Sequence, residues 1–201
     1  MPKTQEILNG LQSLVNERTF YAIIWHIVFY IMIIAFLAKW EPSNRTLAIM
    51  LCVPILSVAV FAWISGNPFN GILFSLLTIL FFIFGTNAST QPVSLSQQPY
   101  LIAGIIMIVF GLIYPHFIET TPIIRYLYAS PAGLIPCPTL SILIGCMLLF
   151  NGLGSNSLTL MCILFGLFYG IFGALKLAVH IDLVLVFGTL VLGVKYILSW
   201  V

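Results

Sequence analysis

Apolar runs, each closed by a short polar or Gly/Pro-containing turn, recur along the chain from residue 19 onwards. They cover residues 19–38, 47–64, 71–84, 100–114, 138–150, 158–175 and 182–200. A helix needs about 20 apolar residues to cross a bilayer, so the pattern predicts about seven spans, the shorter ones tilted or extended into their flanks. Ahead of them Ile7, Leu8, Leu11, Leu14 and Val15 recur at helical spacing, with Gln5, Glu6, Asn9, Gln12 and Ser13 between. This predicts a short amphipathic helix over residues 1–18, lying in the headgroup plane or packed on loops. The run at 19–38 is longer than a signal-peptide core, and Lys39-Trp40-Glu41 is no small-residue cleavage site, so it reads as a retained span. Residues 85–99 are uncharged and rich in Ser, Thr, Asn and Gln, and read as an exposed loop. Residues 115–138 hold Pro115, Pro122, Pro131, Pro136 and Pro138, which rules out continuous helix there.

Composition excludes a soluble fold. Of 201 residues, 61% are apolar and 6% charged, against roughly 25% charged in soluble domains. The fold class expected is therefore all-α: a polytopic transmembrane helix bundle over residues 19–201, preceded by the interfacial helix at 1–18. The lipid bilayer is its first partner. A net charge of +2 with no run of Lys and Arg excludes nucleic acid as a partner. Lys3, Arg18, Arg125 and Lys176 would share one face of the membrane, and Lys39, Arg45 and Lys195 the other, which leaves orientation open. Cys52, Cys137, Cys146 and Cys162 form no CxxC pair and read as small buried residues. No HExxH, GxSxG or paired carboxylates occur, so no enzyme and no cofactor is expected. Metal binding and oligomeric state are left open.

Polar residues inside apolar runs carry the functional signal, because each is costly to bury unpaired. His26 lies in the first span, one turn from Tyr30, as a satisfied interior histidine or a proton relay. Two prolines flank Cys137 directly before the fifth span, with Thr139 following. Pro138 suits a first helical turn, and the free N–H groups beyond it, at the positive end of the helix dipole, offer a place for an anion. The plainer reading is a helix start in which Cys137 is simply small. Lys176, His180 and Asp182 cluster between the sixth and seventh spans, as an interfacial ion pair or as an ion-handling site. Lys195 stands close enough to the C-terminal end to snorkel, and no chemistry is assigned to it. Gly166, Gly170 and Gly173 form a small-residue stripe on the sixth span, expected to pack inside the protomer.

The stretch 133–149, Gly-Leu-Ile-Pro-Cys-Pro-Thr-Leu-Ser-Ile-Leu-Ile-Gly-Cys-Met-Leu-Leu, resembles the signature of a family of small polytopic bacterial membrane proteins, domain of unknown function 6064. Tyr114-Pro115, then Gly170, Gly173, Ala174 and Asp182, and the aromatic-containing stretch 16–25, are similar to its pattern. After Tyr114-Pro115 the chain departs from it, with Ile124-Arg125-Tyr126 where a Gly-His pair is expected. The resemblance implies a multi-pass protein of the bacterial inner (plasma) membrane, brings no known activity, and draws attention to Cys137 and Thr139. The function expected is transport of a small solute or ion near the broken start of the fifth span. The alternative is a non-catalytic membrane subunit or scaffold that binds a protein or lipid.

Overall fold

The computed structural model describes residues 4–118 and 123–200. Helix α1 (Thr4–Glu17) precedes α2 (Thr19–Leu37), α3 (Asn44–Ile64) and α4 (Pro68–Thr86). There follow α5 (Gln98–Ile113), the one-turn α6 (Tyr126–Ala129), α7 (Pro136–Leu149), α8 (Asn156–Ile171) and α9 (Leu183–Leu198). A π-helical turn, Phe172–Lys176, prolongs α8, and a 3-10 turn, His180–Asp182, leads into α9.

Local chemistry sets the helix starts. The Ser43, Asn67 and Ser155 side chains accept the N–H groups of Thr46, Asn70 and Leu158, and Pro68 opens α4. Glu119 and Pro122, in the proline-rich stretch, lie outside the described residues.

Among the described residues, five helical stretches are long and apolar enough to cross a membrane: Thr19–Leu37, Asn44–Ile64, Pro68–Thr86, Asn156–Lys176 and His180–Leu198. The fourth and fifth expected spans are the helices α5 and α7, with 16 and 14 residues. Helix α7 is therefore about 21 Å long, short of the roughly 30 Å hydrocarbon core.

Its shortness is tolerated because it is the axis of the bundle. Every residue from Pro138 to Leu148 is buried, and α7 packs against α3, α5, α8 and α9. Both its ends meet protein, so no polar backbone faces lipid there. Ser96 N–H bonds the Leu149 carbonyl at 2.9 Å. Lys195 Nζ reaches the Leu148 carbonyl at 3.1 Å and also donates to Ser96 Oγ. Lys195 thus closes the C-terminal end of α7, where carbonyls are unpaired and the dipole favours a cation.

Helices α5 and α7 touch backbone to backbone. A Cβ on Gly104 would stand 2.8 Å from the Gly145 carbonyl oxygen, and one on Gly145 2.8 Å from that of Gly104. Such approach lets van der Waals packing hold helices together where lipid supplies no hydrophobic drive. The stripe on α8 packs within the protomer, with Gly166 against Thr189 and Gly170 against Val186. Outward-facing positions such as Ile31, Ile34, Ile79 and Leu190 are apolar and exposed, as a lipid-facing surface requires.

Candidate functional site

The π turn that ends α8 creates the site. Leu177 N–H reaches back to the Phe172 carbonyl (3.1 Å), and Val179 N–H to that of Gly173 (2.9 Å). Ala178 lies between them in the left-handed region, at φ 57°. The chain reverses, Asp182 N–H bonds the Val179 carbonyl at 3.0 Å, and the Asp182 side chain turns into the bundle, where the residue is 2% exposed.

Each carboxylate oxygen there has a donor from another helix end. Oδ1 accepts the hydroxyl of Tyr114, which closes α5, at 2.7 Å. Oδ2 accepts the thiol of Cys137, in the first turn of α7, at 3.2 Å. Gly173 makes room for this arrangement. A Cβ there would stand 2.8 Å from Asp182 Cγ and collide with Oδ2. Burying a carboxylate costs several kcal/mol unless its oxygens are bonded. Two donors and the positive end of α7 offset that cost here. Both donors are neutral groups. The start of α7, read from the sequence as a place for an anion, is thus met by the protein's own carboxylate.

The other sequence-derived candidates are not brought to this point. Thr139 is buried, with its hydroxyl accepting Gly133 N–H (2.9 Å) and donating to the Ile135 carbonyl (2.8 Å). It pins the loop ahead of α7 to the first turn, a structural task. Lys176 and His180 are exposed, while the hydrogen bonds of Asp182 go inward to Tyr114 and Cys137.

His26 is 1% exposed and joins α2 to the end of α5. Pro115 has no N–H for the Gly111 carbonyl, and His116 N–H turns to Tyr114 instead of Leu112. The Ser130 hydroxyl donates to the Gly111 carbonyl (3.2 Å), and His26 Nε2 lies 2.9 Å from that of Leu112. His26 Nδ1 lies 2.8 Å from the Ala22 carbonyl of its own helix. Both neighbours are carbonyl acceptors, and a neutral imidazole has one N–H to donate to one of them.

Sequence reasoning did not single out Tyr114 as a site residue. Its one local signal was the Tyr-Pro pair at the end of an apolar run. Gly173 was noted for packing and not for its contact with a carboxylate. Among the described residues, no three His, Cys, Asp or Glu side chains are grouped to hold a metal. The fold and site together define a helical protein with, among the described residues, five membrane-length helices and a buried carboxylate at one end of its bundle. No protein-family model, curated protein or solved structure matches the chain.

Proposed function

We propose that the chain is a seven-span integral membrane protein that transports a small ion, the proton, through binding at Asp182. The observation that carries this reading is the buried carboxylate held by Tyr114 and Cys137, two neutral donors from the ends of two other helices. Ionisable groups inside membrane bundles mark ion and proton pathways. Both oxygens are already bonded directly to protein, which leaves no place between them for a larger solute, whereas a proton needs none. Protonation would turn one carboxylate oxygen into a donor, and the Tyr114 or Cys137 hydrogen now pointing at it would have to turn away. The site therefore has two hydrogen-bonded states, one for each charge of Asp182. Thr139 holds the α7 start in place, and exposed Lys176 and His180 lie in the connection that carries Asp182. We read the protein as non-enzymatic, and the resemblance of its 133–149 stretch supports the bacterial inner membrane as its location.

Liposomes holding the purified protein and an internal pH dye test the reading. A potassium diffusion potential should drive proton entry faster than in protein-free liposomes, and Asp182→Asn should return the rate to background. Equal rates with and without the wild-type protein would end the proposal.

A second reading, a non-catalytic subunit or scaffold, is favoured by a different observation. Helix α7 is sealed from Pro138 to Leu148, and among the described residues no buried side-chain polar atom lacks a partner. A partner that copurifies stoichiometrically in mild detergent, with no proton flux, would select it.

A further inference from the structure

The amphipathic helix α1 does not lie apart from the bundle. Leu14 and Val15 are buried in one apolar cluster with Phe61, Tyr114, Leu134 and Ile135, at whose edge Cys137 and Ile181 pack. Gln5, Glu6, Asn9, Ser13 and Glu17 face outward. Two side-chain hydrogen bonds tie its ends to the two segments that build the Asp182 site. Thr4 Oγ1 donates to the Lys176 carbonyl at 3.3 Å, in the connection between Gly173 and Asp182. Asn16 Nδ2 donates to the Phe117 carbonyl at 3.0 Å, three residues after Tyr114. Twelve residues of helix separate these ties, about 18 Å, so α1 crosses that end of the bundle.

Little of the apolar face of α1 is sealed inside the bundle. Only Leu14 and Val15 of the helix are fully buried, both near its C-terminal end. Undocked, α1 would not have to enter water, because its apolar face can lie in the headgroup region beside the bundle and stay buried there. The free-energy gap between docked and undocked positions is then a difference of two burials, which makes exchange easy.

We infer that α1 is an exchangeable lid over the Tyr114–Cys137–Asp182 site, closed when docked and open when it lies in the headgroup plane. Its importance rests on Asp182 being the working group, but its test does not, since access to Cys137 is read without any flux.

The experiment uses the full chain in lipid nanodiscs, with Cys52, Cys146 and Cys162 replaced by Ala, and follows labelling of Cys137 by a charged maleimide. A companion chain keeps Cys146 alone, buried in the last turn of α7, to report loss of fold. Val15→Asp, which puts a charge in the docked face, should raise the Cys137 rate about tenfold or more while Cys146 stays unlabelled. The pair Thr4→Val with Asn16→Ala removes these two hydrogen bonds and leaves Leu14 and Val15 in place, and should move the rate the same way by less. An unchanged Cys137 rate in Val15→Asp with Cys146 protected would overturn the lid. So would Cys137 and Cys146 rising together in both variants, because exposure would then come from unfolding.

Discussion

Tyr114→Phe takes one oxygen from the buried site and leaves the ring. The lost hydrogen bond spans 2.7 Å between a fully buried phenol and a carboxylate that is 2% exposed. Hydrogen bonds to charged groups contribute about 1.5–3 kcal/mol, and a buried acceptor stripped of its donor bears the desolvation cost as well. The Cys137 thiol, a weaker donor at 3.2 Å, would remain as the partner of Asp182. Tyr114→Phe should therefore destabilise the folded protein by about 1.5–3 kcal/mol. Asp182→Asn should do similar harm, because its one carbonyl oxygen accepts only one of the two donors and its NH2 group turns hydrogens toward the other. In the double variant the second change should cost little, since the hydrogen bond is already gone. The double-mutant cycle then gives a coupling of about 1–3 kcal/mol, far above the few tenths seen for independent sites. Reversible unfolding in mixed micelles, followed by helical circular dichroism, supplies the four stabilities. Additive losses would show that the Tyr114–Asp182 bond contributes nothing, and the reasoning about the site would fall with it.

Gly173→Ala forces a methyl group against the Asp182 carboxylate and should cost about 1–3 kcal/mol of stability. The loss should shrink when Asp182 is replaced by Ser, which frees the space; an equal loss in both backgrounds would place the strain elsewhere. Lys195→Met removes the cation that meets the Leu148 carbonyl and Ser96, and should cost about 1.5–3 kcal/mol in the same unfolding assay. A snorkelling lysine would cost nothing measurable. His116, in the loop after α5, is half-buried, and desolvation holds its ring below the ordinary histidine value. The unfolded chain therefore takes up that proton first, so the contribution of His116 is full above about pH 6.5 and is lost as pH falls below it. His116→Asn should flatten the stability profile over that window, and an unaltered slope would contradict the assignment.

The helices were legible because apolar runs and turn residues are local signals. The run at 19–38 became Thr19–Leu37, and the turn around Asn67-Pro68 became a capped helix start. The central place of α7 was not legible. In water a helix that is apolar all round must be buried, but in a bilayer lipid welcomes the same surface, so periodicity cannot separate an axial helix from a peripheral one. Cys137 and Asp182 were both singled out, but their contact was not, and neither was Tyr114. The Tyr114–Asp182 partners stand 68 positions apart and meet because α5, α7 and α9 have ends at one face of the bundle. His26 was ambiguous for a related reason. The carbonyl it closes is left open by the turn at Pro115, which the sequence shows, but nothing local says that α2 passes that point. Lys176 and His180 were grouped with Asp182 on helical spacing, and the π turn with Ala178 at positive φ breaks that spacing.

The central claim, that Asp182 takes up and releases a proton, is tested most directly by infrared difference spectroscopy of the protein in lipid as the pH of the medium is varied. The account predicts a protonated-carboxyl band that grows and vanishes reversibly with pH in the wild-type protein and is missing in Asp182→Asn. A spectrum identical in the two proteins across the range in which both remain folded would contradict it, and would leave the buried carboxylate as a structural joint between α5, α7 and α9.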